Sequence, residues 1–122
     1  MLLDSNIIIY AAQPKYVALR NWLESQWYAV SDLSRLEVLG YHNLNQKHSE
    51  YFHHFFTYCY RYPISSEVVD KAITIRRNYA MSLGDAIIGA TAFHHNLKLC
   101  TNNIKDFQAV KELEFVPVAY YL

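Results

Sequence analysis

Glycine and proline are scarce in this 122-residue chain, with three of each. That leaves little material for a flexible linker, and no repeat or low-complexity tract breaks the pattern, so residues 1–122 read as one domain. Cysteine is scarcer still. Cys59 and Cys100 stand apart, with no CxxC or zinc-like spacing, and read as two reduced, buried thiols rather than a disulfide framework. An excess of one charge is also missing. Eleven basic and eleven acidic residues give a net charge of zero, so no global field draws in a polyanion. Any nucleic-acid contact must then come from local basic groups. No run approaches the roughly 18 apolar residues that span a bilayer, and no basic leader precedes an apolar stretch at the N-terminus. The expectation is a soluble, cytoplasmic protein with no membrane partner.

What the chain has in quantity is apolar and aromatic side chains, 52% and 16% of residues, ample for one continuous core. Short apolar runs alternate with helical spacing. Leu2-Leu3, Tyr28–Val30, Leu97–Cys100 and Phe115–Val118 read as strands, and Tyr62-Pro63-Ile64 as a brief edge strand, where proline is tolerated. Asp32 or Ser34 opens a helix running to about Asn43. Phe52, Phe55, Phe56 and Cys59 mark an amphipathic helix over His48–Tyr60. Ser66 is expected to cap a helix that buries Val69, Ala72, Ile73, Tyr79 and Ala80, and the small residues of Gly84–His95 suit close packing on a sheet. Strands separated by helices imply an α/β fold with a mostly parallel sheet of four to five short strands, wound from both sides.

Four acids recur around these junctions. Asp4 follows Met1-Leu2-Leu3, Glu37 follows Tyr28–Val30, Asp85 lies in Ser82-Leu83-Gly84-Asp85, and Asp106 follows Leu99-Cys100-Thr101. In an open parallel sheet such positions meet in the crevice at the carboxyl ends of the strands. Each also has a plain reading as a helix cap. Ser34-x-x-Glu37 and Ser82-x-x-Asp85 have capping-box spacing, Asn103-x-x-Asp106 is similar, and Asp4 suits the turn that follows it. The two readings are compatible, because a helix N-terminus favours a carboxylate by about 0.3–1 kcal/mol.

Acids gathered in one crevice repel each other, and a hard, oxygen-ligated cation such as Mg²⁺ or Mn²⁺ relieves the repulsion. The pattern therefore points to a metal-dependent site for cleaving phosphodiesters, the cation lowering the pKa of a water and offsetting phosphate charge. Ser5, Asn6, Thr101, Asn102 and Asn103 flank the acids and are expected to orient them. Arg35 and Lys105, each close in sequence to an acid, are candidate phosphate contacts. His53-His54 and His94-His95 lack the spacing of a transition-metal site.

These residues also carry a family resemblance. Leu3-Asp4-Ser5-Asn6-Ile7-Ile8-Ile9-Tyr10 resembles the opening hDTNhhhY of PIN-domain ribonucleases, and Ser34–Leu39 resembles their internal glutamate motif. Leu83–Ala92 is similar to their xxDAhIAATA helix, and Thr101–Phe107 to the closing TxNxxDF. The four segments come in family order over nearly the whole chain. In size and pattern the chain is most similar to VapC-type toxins of bacterial toxin–antitoxin pairs.

The resemblance implies a three-layer α/β/α sandwich, a Mg²⁺ or Mn²⁺ site, endoribonuclease activity and neutralisation by a small antitoxin. It carries three acids over to Asp4, Glu37 and Asp85. Many members have an aspartate two residues after the threonine, where this chain has Asn103, so Asp106 and Asn103 both stand for the fourth position. Gly84 stands where many relatives have proline. The alternative is a PIN-fold module that binds RNA or protein with weak catalysis or none. A phospho-accepting receiver domain would need paired adjacent acids after the first strand, and Asp4-Ser5-Asn6 has only one. The helix over His48–Tyr60 carries aromatics on more than one face and is expected to meet the antitoxin or a second copy in a homodimer.

Overall fold

A computed structural model describes all residues, 1–122. The chain runs β1 (Leu2–Leu3), α1 (Ser5–Ala11), a 3₁₀ turn (Pro14–Tyr16), α2 (Val17–Glu24), β2 (Ala29–Ser31), α3 (Asp32–Leu39), α4 (Gln46–Tyr58) and β3 (Tyr60–Tyr62). It continues through α5 (Ser66–Asn78), α6 (Leu83–His94), β4 (Leu99–Cys100), α7 (Ile104–Phe107) and a closing 3₁₀ turn (Ala119–Tyr121). The four strands form one parallel sheet in the order β3-β2-β1-β4. No helix is long and apolar enough to cross a membrane.

The alternation of strand side chains divides the interior into two cores. Leu2, Ala29 and Leu99 point to one face and pack with Val68, Ala72, Ile75 and Ile88 of α5 and α6. Leu3, Val30 and Cys100 point to the other face and pack with Ile7, Ile8, Leu19, Leu23, Phe52 and Phe56 of α1, α2 and α4. Two helical layers thus enclose a sheet whose central strands are two or three residues long, a three-layer α/β/α sandwich. Both cysteines are free, and Cys100 is buried, where desolvation pushes its thiol up to about 12.

Several boundaries and one buried face differ from the sequence reading. Helix α3 opens at Asp32, with the Ser31 side chain accepting from the Leu33 N–H at 3.0 Å, and ends at Leu39 before Gly40. Helix α5 is capped by Ser65, not Ser66. Its core face is Val68, Ala72 and Ile75, while Val69 and Ile73 are 42% and 50% exposed. Two apolar stripes compete on that helix, and docking against α6 selects the first. The edge strand ends at Tyr62, so Pro63 falls just outside it. The expected last strand reduces to a single parallel bridge from Phe115 to Leu99, with Val116 N–H donating to Leu99 O at 3.0 Å.

Candidate functional site

Asp4 is the residue from which the site is built. It follows β1 at the carboxyl edge of the sheet and is only 7% exposed. Its Oδ1 accepts from the Ser5 backbone N–H at 2.8 Å, and its Oδ2 accepts from Thr101 Oγ1 at 2.8 Å and Asn6 Nδ2 at 3.3 Å. Thr101 follows β4, the strand beside β1, so neighbouring strand ends fix one carboxylate from two sides. Thr101 Oγ1 also accepts the Asn103 N–H at 3.0 Å, and Asn6 Oδ1 accepts the Asn102 N–H at 3.3 Å. The polar residues flanking Asp4 and Asp106 in sequence therefore form one network around the buried acid. Asp4 is also the N-cap of α1, so its capping role and its place in the site coincide.

Glu37 reaches the same region from the second turn of α3. Ser5 Oγ lies 2.9 Å from both Glu37 Oε1 and Ser34 Oγ. A carboxylate only accepts, and a serine hydroxyl has one hydrogen. Ser5 therefore donates to Glu37, and Ser34 donates to Ser5. Ser34 is 0% exposed, and its hydroxyl is used in this chain rather than as a helix cap. Across the crevice, a Cβ placed on Gly84 would lie 3.5 Å from Glu37 Oε2. The first turn of α6 and the Glu37 carboxylate are therefore neighbours.

Asp85 enters from a junction between two helices, α5 and α6, rather than from a strand end. Ser82 caps α6, its Oγ accepting from the Asp85 N–H at 3.1 Å. Asp106 lies on α7 and lines, with Asp85 and Lys105, a cleft of about 600 Å³. Asn103 is exposed, precedes α7 and makes no side-chain cap. Arg35 lies elsewhere. It is 3.5 Å from Asp32 and lines a separate depression with Arg61 and His53, on the side of α3 turned from Glu37.

The acids sense one another. Burial raises the Asp4 carboxyl above the usual carboxylate range; Thr101 and Ser5 pull it back, and Glu37 and Asp106 add to the rise. Asp85 is raised first by burial and then by the charge of Asp4, with Asp106 adding to it. A like-charged group of this kind stays ionised at neutral pH only against repulsion, which a hard cation would offset. No three His, Cys, Asp or Glu side chains stand close enough to enclose an ion unaided. The oxygen-only donor set still suits Mg²⁺, which is usually held through one or two carboxylates and keeps several waters.

Sequence reasoning missed Ser34 as part of the site, because its spacing to Glu37 already had a local explanation. The three-residue offset that suggests a capping box also places two side chains on one helix face, and that was the available signal.

A profile of the PIN domain matches residues 1–113. No curated protein matches by sequence. Among solved structures, a toxin–antitoxin complex from Klebsiella pneumoniae is similar at 27% identity with a TM-score of 0.75, over 92% of this chain and 93% of that one. VapBC2 from Rickettsia felis, bound to a DNA fragment from its promoter, aligns at 20% identity and TM-score 0.82, over 94% and 96% of the two chains. FitAcB from Neisseria gonorrhoeae aligns at 23% identity and TM-score 0.77, over 97% and 98%.

Proposed function

The chain belongs to the PIN-domain family, and from that premise we propose that it is a Mg²⁺- or Mn²⁺-dependent endoribonuclease, the toxin of a toxin–antitoxin pair. The observation that carries the reading is Asp4, buried at the strand ends, held by three donors and electrostatically coupled to Glu37, Asp85 and Asp106. The similar structure from Klebsiella pneumoniae is a toxin–antitoxin complex by its description, which supports a small antitoxin as partner. Pairing with a second copy and a cytoplasmic location belong to the same proposal.

In this reading Asp4, Glu37 and Asp85 hold the cation, with Asp106 or Asn103 in the fourth position. When bound, such a cation lowers the pKa of water, polarises the phosphoryl group and offsets its charge. The protein's own contribution is orientation. Thr101, Asn6 and the Ser5 N–H fix both Asp4 oxygens, and Ser34 through Ser5 fixes Glu37. Gly84, in the first turn of α6, lies beside the Glu37 carboxylate.

The test is cleavage of RNA by the full chain with Mg²⁺, with EDTA, and by Asp4→Asn and Asp85→Asn. EDTA is expected to abolish cleavage. Each substitution is expected to slow it by at least about 100-fold, since outer partners of metal ligands alone are worth about 10–100-fold. Undiminished cleavage in both variants would sink the assignment. The second reading is a PIN-fold module that binds RNA or protein without cutting, and the absence of a closed three-acid cage favours it. Titration calorimetry with Mn²⁺ separates the two: no heat of binding selects the module.

A further inference from the structure

Arg35 is close in sequence to Glu37 but opens into a different depression, enclosed by α3, α4 and β3. We propose that this depression is an anion site for a terminal phosphate monoester, held by Arg35 and Arg61 and separate from the acidic crevice. Its volume is about 470 Å³, and it gathers Arg35 from α3, His53 from α4 and Arg61 from β3, with Asp32 as its one acid. Residues 35 and 37 are about 200° apart around a helix, so α3 stands between this depression and the Glu37 carboxylate.

Each guanidinium is anchored at one point and free elsewhere. Arg61 Nη1 donates to Phe56 O at 2.9 Å. Arg35 Nε lies 3.5 Å from Asp32 Oδ1, an ion pair without a hydrogen bond, since that buried oxygen has no donor. Both side chains are thus directed while most of each donor fork is unused. Cys59, whose thiol is raised first by burial, also feels the charges of Arg61 and Asp32, so the two groups lie around one point. Two arginines against one acid make a local positive charge in a chain whose net charge is zero. His53 adds an exposed ring to the lining.

Planar forks select oxyanions that accept side by side, phosphate above all. A terminal phosphate carries about −1.5 to −2 charge and three acceptor oxygens, more of both than a diester within a chain. Two forks lining one depression can use the extra oxygen and the extra charge. Leu36 and Leu39 give the remaining wall an apolar surface for the body of the ligand. The volume falls within the roughly 300–1,000 Å³ of small-ligand clefts. Such a phosphate has two sources, a free nucleotide or the 5′ end of an RNA.

Titration calorimetry on the full chain, in EDTA so that no divalent ion at the acids holds phosphate, compares adenosine monophosphate with adenosine. The monophosphate is expected to bind at least about tenfold more tightly. Arg61→Gln and Arg35→Gln are each expected to weaken it about 10–100-fold, the range of a charge-assisted hydrogen bond. Arg35 is exposed and supports no backbone group, so its variant tests the site even where loss of the Phe56 contact disturbs Arg61→Gln. Anisotropy with a 3′-labelled octaadenylate, 5′-phosphorylated or 5′-hydroxylated, separates the sources. Preference for the phosphorylated oligomer assigns the site to RNA ends. Monophosphate binding with equal affinity for the two oligomers assigns it to free nucleotides. No preference for phosphate in either pair, or an unchanged affinity in the folded arginine variants, overturns the proposal. Neither arginine belongs to the acidic crevice, so that failure leaves the nuclease reading untouched.

Discussion

At the scale of single residues, Ser34 is the most instructive position. A buried hydroxyl without a partner costs about 1–3 kcal/mol, so Ser34 must be used, and its partner is Ser5. By donating to Ser5 it leaves the one Ser5 hydrogen for Glu37, so a fully buried residue orients the Glu37 carboxylate. Ser34→Ala is expected to cost about 0.5–1.5 kcal/mol in stability. It is expected to lower the rate of RNA cleavage by about 10–100-fold, with little change in the substrate concentration at half-maximal rate. Denaturant unfolding and steady-state kinetics check the two halves. An unchanged rate would reduce Ser34 to a packing residue. The acids themselves were legible because charge at an apolar junction is conspicuous in a sequence. Ser34 was less so, because its local pattern had a sufficient explanation without the fold.

At the scale of elements, legibility tracked how many solutions a pattern allows. Helix α4 is legible from Phe52 and Phe56, its buried pair, although it runs Gln46–Tyr58 rather than His48–Tyr60 and Cys59 falls just beyond its end. Helix α5 offered two stripes, and only the position of α6 decides between Val68-Ala72-Ile75 and Val69-Ala72-Ile73. Such a choice is tertiary and leaves no mark in local spacing. The run at Phe115 is strand-like in sequence, but only Phe115 pairs, in a single bridge to Leu99. Asp85 at a helix–helix junction also lay beyond the strand-end rule that made Asp4 visible.

Helix α6 carries a testable consequence of its small residues. A Cβ at Gly89 would meet Leu113 Cδ1 at 3.5 Å, with Ile75 and Phe107 carbons at 3.9 Å, all ordinary contacts. Gly89→Ala therefore adds helix propensity without overpacking. It is expected to stabilise the protein by about 0.5–1 kcal/mol and raise Tm by roughly 2–5 °C. A lower Tm in calorimetry would show that α6 sits closer to its neighbours than those distances indicate.

At the scale of the whole molecule, the acidic crevice opposes the stability of the fold that holds it. Asp4 and Asp85 are both raised by burial first, and by neighbouring acids as well. Between the unfolded carboxylate pKa and the raised folded value the native state binds more protons than the unfolded state. Stability therefore falls as pH rises through that window, and the loss persists at neutral pH. Two outcomes follow from the same repulsion. Without divalent ions at pH 7, Asp85→Asn is expected to melt above the wild type, and the gap is expected to close as pH falls below about 4, where the carboxylate is neutral in either state. Adding Mn²⁺ at pH 7 is expected to raise the wild-type Tm, by the equivalent of about 2.7 kcal/mol at 100 times the dissociation constant, and to raise the Asp85→Asn Tm less. Differential scanning calorimetry at two pH values, with EDTA and with Mn²⁺, measures all of this without an RNA substrate. A wild type already more stable than Asp85→Asn in EDTA would mean that the acids are balanced by the protein alone, and the need for a cation would lose its physical basis.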